Sequence, residues 1–157
     1  MRRKDREVRD RENLAPIFDE ADACRLAFAV GGTPYIVTMN FGYEWEGALP
    51  VLYFHCAREG RKLEMMRANP KVCFEVDSEH TLVTGPDPCD WGMKYASIVG
   101  YGTLSEVLDD SGRSSGLDSV MRHYGWGGGP GGYREGSLSA AAILRLDVEE
   151  VSGKRKT

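Results

Sequence analysis

Residues 24–55, CRLAFAVGGTPYIVTMNFGYEWEGALPVLYFH, carry three strand patterns with no helix between them. Cys24 to Val30 is a short apolar run that stops at Gly31-Gly32, a pair suited to a two-residue hairpin turn. Pro34 to Trp45 is dense in β-branched and aromatic residues and reads as a second strand. Glu46-Gly47 turns the chain again, and Leu49 to His55 supplies a third strand. Parallel strands need a crossover of about a dozen residues or more, usually a helix, and these turns leave no room for one. The stretch therefore predicts antiparallel neighbours.

Working outward, Leu14, Ile17, Phe18 and Ala21 keep helical spacing, which predicts an amphipathic helix over about 13–22. A helix over 60–69 ends where Pro70 disfavours the helical conformation at Asn69. Residues 71–77 alternate, with Val72, Phe74 and Val76 on one face, the pattern of a strand buried on one side. Residues 78–92 hold Gly85, Pro86 and Pro88 and read as a loop. Residues 95–108 form a long strand, and Gly100 and Gly102 inside it mark a bulge or a close backbone approach. A short helix over 117–123 and a final strand over 141–151 complete the pattern. Six strands and two or three marginal helices predict a mainly β fold, an antiparallel barrel or sandwich, built as one domain over 1–157. The opening residues 1–12 alternate Arg and Lys with Asp and Glu and are expected to be a solvated arm. The run 124–136, with seven glycines, is expected to be a flexible loop.

The composition narrows the function classes. A formal net charge of −4 argues against a nucleic-acid surface. No apolar run approaches the roughly 20 residues of a membrane span, and Met1-Arg2-Arg3-Lys4 leads into no apolar signal segment, so a cytoplasmic protein is expected. Cys24, Cys56, Cys73 and Cys89 form no CxxC, and His55, His80 and His123 lie far apart, so no metal site is expected. GGGPGG is no P-loop, because no Gly-Lys-Ser/Thr follows it.

The chemistry concentrates in YFHCAREGRKL, residues 53–63, where a strand leaves through a glycine loop into a helix that starts with basic side chains. Cations at a helix N-terminus oppose the macrodipole, at roughly 0.3–1 kcal/mol each, so Arg61-Lys62 need a reason. A phosphate supplies one by accepting the free first-turn N–H groups and pairing with both cations; a solvated outward face is the other reading. His55, just before this loop, is a candidate proton donor or a cofactor hydrogen-bonding group. Cys56 reads better as a small filler than as a reactive thiol. Tyr43, Trp45 and Trp91 fit core or interface packing better than cofactor stacking.

These pieces resemble the pyridoxamine 5′-phosphate oxidase-like, FMN-binding split-barrel superfamily, and within it the 5-nitroimidazole-resistance group. The matching segments, in the family's order, are MRRKDRE, CRLAF, PYIVTMNFGYEWEG, LYFHCAREGRKLEMMRANPKVCFEVD, KYASIVGYG and RLDVEEVSGK. The resemblance implies a six-stranded split β-barrel that forms a homodimer with FMN at the subunit interface. It implies phosphate binding by Gly60, Arg61 and Lys62, with His55 and Ala57 in the same motif. The backbone of Val37, Thr38, Met39 and Asn40 would lie along the flavin ring, and Tyr95 and Ser97 would approach it from the partner. Thr38 stands where a second proline is common, and Cys56 replaces a small Gly or Ser. The implied activity is FMN-dependent reduction of a small planar acceptor such as a nitroimidazole or another nitroaromatic, with NAD(P)H as a donor. Without a GxGxxG, a nicotinamide would bind over the flavin rather than in its own domain. The alternatives are a non-catalytic flavin carrier or sensor, and a split barrel holding haem or a deazaflavin.

Overall fold

The second of the three expected strands breaks in the middle, and that break shapes the molecule. The structure is a computed structural model that describes residues 4–128, 132–133 and 136–157. Residues 1–3 of the charged arm, and 129–131, 134 and 135 of the expected flexible loop, lie outside the described residues. Residues 33–46 form two strands, β3 (Thr33–Met39) and β4 (Phe41–Glu46), which part at Asn40. β3 pairs with β2 (Cys24–Val30), setting Met39 opposite Cys24. β4 instead pairs with β5 (Leu49–Ala57), setting Phe41 opposite Phe54. With β6 (Lys71–Val83), β7 (Gly92–Glu106) and β8 (Ala141–Lys156), the order across the sheet is β3-β2-β6-β7-β8-β5-β4.

All of these pairs are antiparallel. The two outermost strands of the path are thus successive in the chain, joined by a single residue. A sheet whose two edges lie one residue apart has to curl into a barrel, and since β3 and β4 share no ladder the barrel keeps a seam at Asn40. The fold is the expected mainly β split barrel, with eight strands rather than six. The break at Asn40 adds one strand. The other is β1 (Glu7–Val8), which pairs with Lys154 and Gly153 of β8, so this part of the charged arm is fastened to the sheet. Val8 packs against the core and Glu7 accepts from Arg9, which accounts for the attachment.

Alternation along the strands fills the barrel with Leu26, Phe28, Phe74, Val76, Ile98, Leu52, Phe54, Leu144 and Leu146, all buried. Helix α1 (Arg11–Glu20), capped by the Asp10 carboxylate, sends Leu14, Ile17 and Phe18 into this core. Phe18 stacks on Tyr43 with ring centroids 4.7 Å apart, and Trp45 meets Phe18 edge-on, so these aromatics are packing residues. Helix α2 (Arg61–Ala68) buries Leu63, Met65 and Met66. The expected close approach within β7 is present. A Cβ at Gly102 would stand 2.2 Å from the Asp147 carbonyl oxygen, and the β7–β8 register shifts between Tyr101 and Gly102.

Two boundaries move. The expected loop over 78–92 narrows to a short turn, because β6 runs on through an irregularity at Ser78–Thr81 and β7 starts at Gly92. The expected helix over 117–123 starts earlier, as α3 (Asp110–His123), capped by the Asp109 carboxylate. Gly112 and Gly116 weaken its helical signal in the sequence. Gly116 is where the helix approaches Tyr53 and Ile143, with 2.9 Å left for a Cβ. A four-residue helix, α4 (Ser137–Ala140), then leads directly into β8. No helix among the described residues is long and apolar enough to cross a membrane.

Candidate functional site

β3 is an edge strand: β2 pairs with one side, and the backbone groups of the other side open onto the seam. Beside this free edge lies an open cleft of about 520 Å³, within the range of small-molecule and cofactor sites. Val37, Thr38, Met39 and Asn40 line it from the β3 end; His55, Cys56 and Ala57 line it from the end of β5. Lys62 enters from the first turn of α2, and Ser137, Ala140 and Ala141 complete the lining.

The start of α2 explains the site's charge. Its cap is Gly60, at φ 129°, a conformation that L side chains rarely adopt, and no side chain accepts from the first-turn N–H groups. Those N–H groups and the Lys62 ammonium point to an anion from the same end of the helix. Lys62 is half-buried and has no carboxylate partner among the described residues. Arg61 does not share the cleft; its guanidinium lies 4.7 Å from the centroid of the Tyr35 ring, on β3.

The other polar groups are few. His55 is exposed, and its imidazole has no hydrogen-bond partner among the described residues. Burial pushes the Cys56 thiol up; the Lys62 charge opposes this and Glu106 adds to it. A thiol shifted upward is protonated and a weak nucleophile at neutral pH, in keeping with a filler. Among the described residues, no group of three His, Cys, Asp or Glu side chains could hold a metal ion.

The fold thus brings together seven of the expected residues: Val37, Thr38, Met39, Asn40, His55, Ala57 and Lys62. Gly60 caps the adjoining helix, and Arg61 sits beside the cleft on Tyr35. Tyr95 and Ser97 lie elsewhere in this chain, on the outer face of β7, opposite Lys156 and Lys154 of β8. Desolvation raises the Tyr95 phenol, but hydrogen bonding by Arg6 and the charge of Lys154 outweigh it and bring the group below its ordinary value. Ser137, Ala140 and Ala141 had no signal in the sequence, since a four-residue helix shows no periodicity. Chemically, the cleft can hold a molecule with a planar hydrogen-bonding edge for β3 and an anionic group for the start of α2.

No curated protein matches this chain significantly in sequence. Solved structures do. A candidate 5-nitroimidazole antibiotic resistance protein from Bacteroides thetaiotaomicron is 30% identical, over 94% of this chain and 85% of its own, with a TM-score of 0.80. A FAD-binding protein from Mesorhizobium loti is 28% identical over 97% of this chain and 98% of its own, with a TM-score of 0.65. The flavocytochrome Anf3 from Azotobacter vinelandii shares the fold at 19% identity, over 100% of this chain and 72% of its own, with a TM-score of 0.80. The family profile described as pyridoxamine 5′-phosphate oxidase matches residues 10–155, nearly the whole barrel and every side of the cleft. The chain belongs to the pyridoxamine 5′-phosphate oxidase family.

Proposed function

We propose that the cleft binds FMN and that the protein is a flavin-dependent oxidoreductase acting on a small planar acceptor such as a nitroimidazole or another nitroaromatic. The observation that carries the reading is the pairing, in one cleft, of a free strand edge with an uncapped helix start and the Lys62 ammonium. The edge suits the hydrogen-bonding rim of a flavin ring, and the helix start suits its phosphate. Among the described residues one basic helix start adjoins the edge, which favours the monophosphate FMN over FAD. The 30% identity to the candidate nitroimidazole resistance protein supports the acceptor class.

FMN, when bound, supplies hydride and electron transfer between a reduced donor such as NAD(P)H and the acceptor. The chain's own part is to bind, orient and donate. Val37 to Asn40 hold the ring by backbone groups, and Lys62 with the α2 N–H groups holds the phosphate. His55, without a hydrogen-bond partner among the described residues, would hydrogen-bond the cofactor or hand a proton to the reduced acceptor. Ala57 lines the same cleft as His55.

The active unit in this reading is a homodimer. The outer face of the sheet exposes Ile36 on β3 with Val99 and Tyr101 on β7, an apolar surface of the kind that a second subunit covers. Tyr95 and Ser97 continue the same face of β7, where they would meet the partner's cleft. The test is the absorption spectrum of the purified protein before and after addition of FMN, followed by NAD(P)H-driven reduction of a nitroimidazole. Flavin bands with quenched fluorescence and turnover support the reading. A colourless protein that ignores FMN overturns it, and flavin binding without turnover points to a carrier.

A further inference from the structure

The wall of the cleft formed by α4 is too short to hold itself. A helix of four residues lacks the hydrogen bonds to offset its nucleation, and its cap, Gly136, provides no side-chain bond. It is held instead by Arg113 of α3, a side chain that hydrogen-bonds the wall from behind without itself lining the cleft. Arg113 is 7% exposed, and its guanidinium donates to the carbonyl of Leu138 and, at 3.0 Å, to that of Ala141. Its nearest carboxylate among the described residues is Asp110, 3.6 Å away and largely exposed. A buried cation carries a desolvation cost, and here its two short-range acceptors lie within α4 and just beyond its end. Ala141, itself one of those acceptors, lines the cleft together with Ser137 and Ala140. α3 itself is anchored on the barrel through Gly116 against Tyr53 and Ile143.

We propose that Arg113 is a positioning residue: by tying Leu138 within α4 and Ala141 just after it to α3, it fixes the Ser137–Ala141 wall and so limits the size of acceptor admitted to the cleft. The inference deepens the flavin reading and rests on it for the word acceptor; the latch itself does not. With the latch intact, single-ring nitro compounds enter and fused-ring ones are hindered by the wall. With it released, α4 yields and the preference relaxes.

The test compares the wild type with Arg113→Met, Arg113→Lys and Ala140→Leu. Three readouts are taken: hydrogen–deuterium exchange of residues 136–142 in the FMN-free protein, the FMN dissociation constant, and kcat and KM for a 5-nitroimidazole and for 1-nitronaphthalene. In Arg113→Met, exchange at 138–142 speeds up about tenfold or more, because bonds from a charged donor each hold a segment by at least that factor. FMN affinity stays within about threefold, since its phosphate and ring contacts lie on α2 and β3. KM for the nitroimidazole rises while kcat holds, and the ratio of kcat/KM values moves about tenfold toward nitronaphthalene, the scale of one misfitted ring contact. Arg113→Lys, which keeps one donor group, restores part of both effects. Ala140→Leu, which fills the wall without touching the latch, moves the ratio the opposite way. Unchanged exchange in Arg113→Met overturns the latch. Faster exchange with an unchanged ratio overturns the role in acceptor selection. If Arg113→Met does not fold, Arg113→Lys and Ala140→Leu decide by the same criteria. A wild type that binds no FMN overturns the flavin reading instead, while exchange still decides the latch.

Discussion

Replacing Lys62 with Met keeps most of the side chain's length and apolar stem but removes its charge, so the loss it causes reports the phosphate contact alone. Lys62 is half-buried and lines the cleft beside a helix start whose N–H groups no side chain among the described residues caps, and no carboxylate among the described residues competes for its charge. A hydrogen bond to a charged partner contributes about 1.5–3 kcal/mol, so FMN affinity is expected to fall about 10-fold to 100-fold. Riboflavin has the same ring and no phosphate, and its affinity should change by less than about twofold, because surface charges contribute little to a neutral ligand. Arg61→Ala is expected to act more weakly and differently. Its guanidinium lies over the Tyr35 ring rather than in the cleft, a contact that contributes about 0.5–1 kcal/mol at an exposed site, so FMN and riboflavin should lose affinity together and only a few-fold. Fluorescence titration of both flavins at low and high salt measures all of this. Equal weakening of riboflavin and FMN in Lys62→Met, or a larger loss of FMN in Arg61→Ala than in Lys62→Met, would show that Lys62 does not hold the phosphate.

Three further expectations concern stability and assembly. Gly102→Ala forces a Cβ to 2.2 Å from the Asp147 carbonyl, across a ladder that cannot give way cheaply, and should cost about 1–3 kcal/mol, read as a fall in Tm of several degrees. The Glu46 carboxylate accepts from both terminal nitrogens of the Arg145 guanidinium, at 2.9 and 2.8 Å, and this bonding holds it below the usual carboxylate range despite some desolvation. A depressed folded value means that the contribution is complete above the unfolded carboxylate value and is lost as pH falls through the folded one. Wild type should therefore exceed Glu46→Gln by less than about 1 kcal/mol at neutral pH, given the pair's exposure, and urea titrations should show the gap closing in acid. Val99→Asp on the outer face of β7 should leave the barrel folded, as Val99 is 39% exposed, but shift the protein from dimer to monomer in sedimentation velocity. A wild type that sediments as a monomer would remove the homodimer from the proposal.

Local patterns made much of the barrel legible. Alternation in residues 71–77, the Gly31-Gly32 turn and the apolar–polar rhythm of 141–151 are set by which face of a strand is buried, and that is written residue by residue. The basic end of the cleft was legible for a similar reason, because cations at a helix start oppose the helix dipole wherever the helix lies. Gly100 and Gly102 likewise announced a close approach, though not the strand that makes it.

The remainder depended on packing between distant segments. Asn40 is disfavoured in strands, but one such residue in a β-rich run does not by itself mark a break. It becomes a break only because Cys24 on one side and Phe54 on the other, far apart in sequence, claim the residues flanking it. Arg61 and Lys62 are adjacent in sequence but point about 100° apart on a helix, and the burial of Leu63, Met65 and Met66 decides which of them meets the cleft. α4 is too short for any periodicity, and its place follows from Arg113 on another helix. Most of the strands, the class of fold and the charge at the start of α2 can be read from the chain alone, because each follows from the preferences of a few neighbouring residues. Only the tertiary structure decided where the sheet closes, which cation faces the cleft and what forms its wall, because those follow from which distant segments exclude water together.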